Sequence, residues 1–181
     1  AKRIFEINCG TGYDAEQFYN RGHKVIATDG SPGMIAYSKS KRDESISFYE
    51  LNFQNIKEDK NAKEAEVIFS NFGGLNCLNS EQLALFFSNI LKIQKSKNRF
   101  IGVFMAKHCF MEDIYHFFKF QWSKIGRRNT SYGIEVDVNG AAVHTFYHSP
   151  SEVVTALGAE YVITLKKPIA FFLPPSYLEP F

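Results

Sequence analysis

Cysteine is scarce. There are three in 181 residues, Cys9, Cys77 and Cys109, odd in number and far apart. No C-x-x-C pair occurs, which excludes a disulfide framework and a metal site of the usual zinc spacing. A reducing, cytoplasmic setting fits that usage. Charge of one sign is also missing. The 21 Lys and Arg against 19 Asp and Glu leave a formal net charge of +2, too little to argue for a nucleic-acid partner. No apolar run approaches the roughly 18 residues that span a bilayer, so membrane insertion is not expected, and no signal peptide is visible. Internal repeats and low-complexity linkers are absent as well. A length of 181 residues then suits one α/β domain over 1–181. The chain opens on Ala1 and enters a strand at once, from which a missing N-terminal cap segment is expected.

Aromatic residues are plentiful, at 15% with 18 Phe and 9 Tyr, and many lie after residue 100. Core packing is the plain reading, and an aromatic pocket wall the sharper one. The basic stretch from Lys119 to Arg128 reads as a solvated loop.

Along the chain, short apolar runs alternate with helical signals. Strands are expected at 2–7, 24–28, 47–51, 65–70 and 99–105. The fourth is apolar without alternation, as a strand buried on both faces should be. Asp14 to Gln17 has capping-box spacing, so a helix is expected from Asp14 to a stop near Gly22. Ser31-Pro32 opens the next helix, and Asn79 or Ser80 caps a long one reaching about Gln94. This alternation predicts a doubly wound, mostly parallel sheet with helices on both faces.

The last third differs. A helix is expected over 112–120. Alternating runs on both sides of Asn139-Gly140 predict a β-hairpin, inserted at about 121–148. Ser149-Pro150-Ser151-Glu152 caps one more helix, and the runs 161–165 and 169–173 suggest a closing antiparallel pair. The full expectation is an α/β, Rossmann-like seven-stranded sheet with that antiparallel C-terminal pair and the hairpin.

The first strand ends in Glu6-Ile7-Asn8-Cys9-Gly10-Thr11-Gly12. Glycines between a strand and a helix let a ligand lie against backbone N–H groups. Gly10 to Ala15 also fits the G-x-G-x-x-A fingerprint of nicotinamide cofactors. Two features weigh against an NAD(P)-dependent oxidoreductase. Glu6 puts a carboxylate inside an apolar strand, which is costly unless partnered, and a ligand ammonium is a natural partner. The chain also has no room for the second catalytic domain that a dehydrogenase normally needs. Asp29 ends the second strand, where a carboxylate can take both hydroxyls of a ribose. It is expected to hold no core together. The alternative is that it only caps the turn Asp29-Gly30-Ser31.

Glu6 to Gly12 resembles the E-x-G-x-G-x-G motif of class I S-adenosylmethionine-dependent methyltransferases, with Asn8 in place of the first glycine. Asn tolerates the left-handed backbone better than most residues. The likeness continues in Ser70-Asn71-Phe72-Gly73-Gly74-Leu75-Asn76-Cys77 and in Pro174 to Glu179. Both are similar to a bacterial methyltransferase-domain subgroup with S-N-F-G-x-L-N-C and a terminal P-P-S-Y-L-E. Members usually carry N-terminal helices that help to close the substrate site.

The resemblance implies S-adenosylmethionine as cofactor. It implies contacts from Glu6, Asn8, Gly10, Gly12, Tyr13, Asp29, Gly30, Met34, Asn52, Phe53, Asn71 and Phe72. Asp29 would bind the ribose, Met34 would cover the adenine, and the Asn52 amide oxygen would meet the adenine amino group. The weak charge and the aromatic-rich C-terminal third suggest a small-molecule acceptor, lipid- or sugar-linked, and the cofactor's sulfonium implies in-line displacement. Candidates at the transfer site are Asn71, Phe72, His108 and Tyr147, with Trp122 and Tyr132 beside Tyr147. A non-catalytic S-adenosylmethionine-binding protein is the alternative. A metal at His144 and His148 is not expected, because the first lies on a strand. Cys77 is not expected as a nucleophile, because methyl transfer needs none.

Overall fold

The computed structural model describes residues 1–71, 73–95, 97–138 and 141–169, with the side chains of Phe53, Asp137, Val138 and Ala141 left aside. Phe72, the Asn139-Gly140 turn and the Pro174 to Glu179 motif therefore lie outside the described residues.

Five parallel strands form the central sheet: β1 (Arg3–Ile7), β2 (Lys24–Asp29), β3 (Ser47–Glu50), β4 (Val67–Ser70) and β5 (Arg99–Gly102). Their order is β3-β2-β1-β4-β5. The chain winds outward from β1 through β2 to β3, then crosses back to β4 and β5. The order thus reverses between β1 and β4, where sheets of this kind open a crevice at their carboxyl ends.

Helices α1 (Tyr13–Asn20) and α2 (Pro32–Lys41) cover one face, where Ala15 and Ile35 pack with Val25, Ala27 and Phe48. A short helix, α3 (Lys60–Glu64), and the long α4 (Ser80–Ile93) cover the other. There Phe5, Ile7 and Ile68 meet Leu83, Phe87 and Ile90. Each fully buried side chain of this size stabilises the fold by roughly 1.5–3 kcal/mol.

Three helix starts follow the expected chemistry. Ser31 accepts from the Met34 amide at the head of α2. Asn79 and Gln82 form a complete capping box at α4, as do Ser149 and Glu152 at α6 (Pro150–Leu157). The start of α1 differs. Gly12 occupies the cap position in a left-handed conformation, and Asp14 sits inside the first turn with its carboxylate turned to Asn71. The glycine turn already shapes the backbone for the helix, since the Glu16 amide reaches the Gly12 carbonyl.

Among the described residues the central sheet has five strands of the seven expected. A separate antiparallel pair, β6 (Ile134–Val138) and β7 (Ala141–Thr145), runs in register from Ile134 opposite Thr145 to Val138 opposite Ala141. Residues 161–169 carry no strand. Tyr161 is held instead by α4, its hydroxyl donating to the Phe87 carbonyl at 3.1 Å, while Val162 and Leu165 stand exposed. The expected partner run, 169–173, lies outside the described residues after its first member. β5 is also shorter than expected. The Val103 amide still reaches the Ser70 carbonyl, but two residues on Asn76 captures Met105 and the chain leaves the ladder. The remaining helix, α5, spans Phe110–Phe118. Among the described residues no helix is long and apolar enough to cross a membrane.

Candidate functional site

The turn between β1 and α1 is built from left-handed residues. Asn8 has φ 57°, Gly10 φ 52° and Gly12 φ 70°. The Asn8 conformation is the one its replacement of glycine requires. Gly12 is needed for space as well, because a Cβ there would meet the Phe48 ring at 2.8 Å. At Gly10 a Cβ would meet nothing within 4 Å, so the backbone there faces open space. A glycine is also needed at 74, where a Cβ would run into the Asn8 side chain at 2.4 Å.

Neighbouring elements fix this turn. Asp29, at the end of β2, accepts from the Gly10 amide through Oδ2 and from the Ser31 amide through Oδ1, both at 2.9 Å. The Ser38 hydroxyl donates to the Gly10 carbonyl, and Arg42 donates to the Thr11 carbonyl. Arg42 also pairs with Glu16 at 2.9 Å. Asp29 therefore does cap its turn, and it also clamps the glycine loop. Asp29 stands outside the apolar core, as expected, yet its carboxylate links the β1–α1 turn to the start of α2. Each oxygen keeps a second lone pair for a ligand hydroxyl.

Glu6 is the penultimate residue of β1, between Ala27 and Phe69 on the neighbouring strands. It is 1% exposed, and its Oε2 finds no hydrogen-bond partner among the described residues. Burial pushes its pKa up to about 8, and the carboxylates of Asp14 and Asp29 push in the same direction. Three acidic groups thus gather at the switch point. Such a place suits a cation and disfavours a phosphate. An unpartnered buried carboxylate beside an open glycine backbone fits the ammonium and ribose of S-adenosylmethionine.

The other expected cofactor residues are placed as follows. Asn71 directly follows β4 and donates to Asp14 at 2.8 Å, bridging the β4 loop to α1. Tyr13 is exposed at the mouth, with Arg42 over its ring at 5.7 Å. Gly30 and Met34 are exposed beside Asp29. Asn52 uses its side-chain oxygen to accept from the Gln54 amide at 3.0 Å, capping the 3-10 turn Phe53–Glu58. Only its second lone pair is left for an adenine.

On the acceptor side the candidates separate. Tyr147 is buried beneath the Arg128 guanidinium, 4.7 Å from its ring centre. His108 is exposed in the loop after β5. Trp122 and Tyr132 are exposed, and Trp122 packs on Phe117 and Phe120. His144 rests on Phe146, and the buried His148 donates from Nε2 to the Leu78 carbonyl at 2.9 Å, its pKa lowered by burial. No group of three His, Cys, Asp or Glu able to hold a metal is found among the described residues. The Cys9 thiol, pushed up to about 12 by burial, stays protonated.

Sequence reasoning assigned no role to Asn76. Fully buried, it donates to the Met105 carbonyl at 3.0 Å and to the Phe146 carbonyl, and it accepts from the Met105 amide at 2.9 Å. Its own carbonyl takes the Phe146 amide. One side chain thus ties the β4 loop to the ends of β5 and β7. The signal was its place inside the S-N-F-G-G-L-N-C run.

The model of a methyltransferase domain family matches residues 4–97, which hold β1 to β4, α4 and every cofactor candidate. Solved structures share the fold at low identity. An S-adenosylmethionine-dependent methyltransferase from Mesorhizobium loti is 14% identical with a TM-score of 0.59, over 86% of this chain and 72% of that one. One from Methanosarcina mazei is 12% identical with a TM-score of 0.64, over 86% and 77%. A complex of DhpI with SAH is 16% identical with a TM-score of 0.54, over 86% and 66%. A search of curated protein sequences finds no match. With the strand order, the left-handed glycine turn and the buried Glu6 in place, the family match completes the case: the chain belongs to the methyltransferase-domain family and is an S-adenosylmethionine-dependent methyltransferase.

Proposed function

We propose that the chain transfers a methyl group from S-adenosylmethionine to a small-molecule acceptor by in-line displacement, with the cofactor across the carboxyl ends of β1, β2 and β4. The observation that carries this reading is Glu6, buried at the switch point with an unpartnered oxygen. Its carboxylate would take the cofactor's ammonium, Asp29 the ribose hydroxyls, and the open backbone at Gly10 the chain between them. Met34 and the start of the 3-10 turn at Phe53 would flank the adenine.

The cofactor supplies an already activated methyl on a sulfonium. What remains for the protein is to hold donor and acceptor in line, an effect worth up to roughly 7–11 kcal/mol. Asn71, fixed by Asp14, borders that line from the end of β4. Tyr147 and the exposed His108 remain acceptor-side candidates, and a base is required only where the acceptor must lose a proton. The near-neutral charge supports a small acceptor over a nucleic acid.

Calorimetric titration tests this reading. S-adenosylmethionine should bind with one-site behaviour, and NADH should not compete. Competition by NADH would favour the oxidoreductase. Tight binding without turnover to S-adenosylhomocysteine on any acceptor of a broad panel would favour a non-catalytic binding protein.

A further inference from the structure

Helix α5 is inside out. Its buried residues are Glu112 and His116, one turn apart, and Arg127 and Arg128 both pair with the Glu112 carboxylate. The aromatic residues face solvent instead. Phe118 is 73% exposed, Phe120 79% and Trp122 56%, with Phe117 half exposed beside them. The rings form one patch: Phe117 packs edge-on against Trp122 at 4.9 Å and against Phe118 at 5.6 Å, and Phe120 lies 6.2 Å from Trp122. The charges among them are of one sign. Lys119 and Lys124 are exposed, while the acids of α5 are turned away, Glu112 into the arginines and Asp113 onto the Gly126 amide.

The backbone adds an independent observation. α1 and α5 end in the same motif. In α1, Gly22 at φ 82° follows the cap, its amide reaching Tyr19 and the next amide reaching Phe18. In α5, Phe120 takes that place at φ 56°, its amide reaching Phe117 and the Gln121 amide reaching His116. This position strongly favours glycine, and a bulky residue there is strained. Phe120 strains the backbone, leaves its ring 79% exposed and touches only the exposed Trp122 among the described rings, so its use points outward from the fold.

We propose that the surface at 117–124 docks this protein on an anionic lipid membrane surface. Phe117, Phe118, Phe120 and Trp122 would enter the interface, and Lys119 and Lys124 would meet the lipid headgroups. The argument is charge complementarity: large rings to the interfacial depth that Trp favours, with lysines and no exposed acid among them. Docking is independent of the methyl-transfer reading and needs no spanning helix.

Trp122 is the single tryptophan of the chain, so its fluorescence reports on the patch directly. In buffer, acrylamide should quench it readily. Vesicles of phosphatidylcholine with phosphatidylglycerol should shift its emission to the blue and protect it, whereas phosphatidylcholine alone should do so far less. K119Q/K124Q should weaken partitioning roughly 30-fold, as two lysines near an anionic surface contribute. F120G should weaken partitioning while raising the Tm by about 2–4 °C, because it relieves the backbone strain. A residue that only supports the fold would lower the Tm instead. Emission unmoved by anionic vesicles would overturn the proposal. So would a Trp122 already shielded in buffer, or shielded by dimer formation, which would give the face to the chain itself or to a second copy. F120G with unaltered partitioning would overturn it too.

Discussion

Glu6 holds a sharp conflict, a carboxyl group 1% exposed with one oxygen unpartnered among the described residues. Its pKa is pushed up to about 8, chiefly by burial, above the ordinary value of 4.5. Between those two values the folded protein keeps a proton that the unfolded chain releases. The free protein therefore loses stability as pH rises through that window, and the loss levels off above about 8. Melting curves across the window should show this slope in the wild type and a flatter one in Glu6→Gln. Ligand binding carries the same signature. Below about 8 an ammonium must displace the Glu6 proton, so affinity for S-adenosylmethionine should rise toward that pH, and in Glu6→Gln the rise should vanish. Titrations at several pH values check it, and a pH-independent wild type would contradict the pairing. Asp29 tests the other end of the ligand. Asp29→Ala should weaken S-adenosylmethionine roughly 30- to 1,000-fold through lost charge-assisted bonds. It should also cost about 1–3 kcal/mol of stability, because the Gly10 and Ser31 amides lose their acceptor. Asp29→Asn, which keeps one acceptor oxygen, should lose less of both.

The elements differ in how far the sequence foretold them. β1 to β4, α2, α4 and α6 were legible because their signals are local: apolar runs between turns, Ser or Asn caps, Pro at the first helical position. The glycine turn was legible for the same reason, down to the left-handed Asn8. What escaped depends on contacts distant in sequence. The early end of β5 is set by Asn76, 29 residues away from Met105, and no periodicity reports that. Asp14 has the spacing of a cap, yet the turn ahead of it makes a cap unnecessary, and the β4 loop claims its carboxylate. The aromatic excess could be read as pocket or core. Only the fold reveals that Tyr147 is buried while Trp122 and Phe120 are not. Asn76 offers a prediction at this scale. Asn76→Ala would strand the Met105 amide and the carbonyls of Met105 and Phe146, at a cost of about 3–5 kcal/mol. Chemical denaturation should show that loss, with hydrogen exchange accelerated first at the end of β7. Wild-type exchange there would refute its role as the tie between β4, β5 and β7.

At the scale of the whole molecule, the chain divides by task. The family match at residues 4–97 covers the strands and helices around the crevice where the strand order reverses. There this chain sets a left-handed glycine turn, the buried Glu6 and, at the end of β2, Asp29. Residues 98–169 hold β6, β7, the inverted α5 and the Arg128–Tyr147 stack. The central claim is that the crevice at the carboxyl ends of β1, β2 and β4 holds S-adenosylmethionine. A crystal structure with S-adenosylhomocysteine, which keeps the ammonium and the ribose, tests this most directly. It should place the ammonium in hydrogen-bond reach of Glu6 Oε2 and both ribose hydroxyls on Asp29. Ligand density elsewhere, or a Glu6 still unpartnered with the ligand bound, would contradict it.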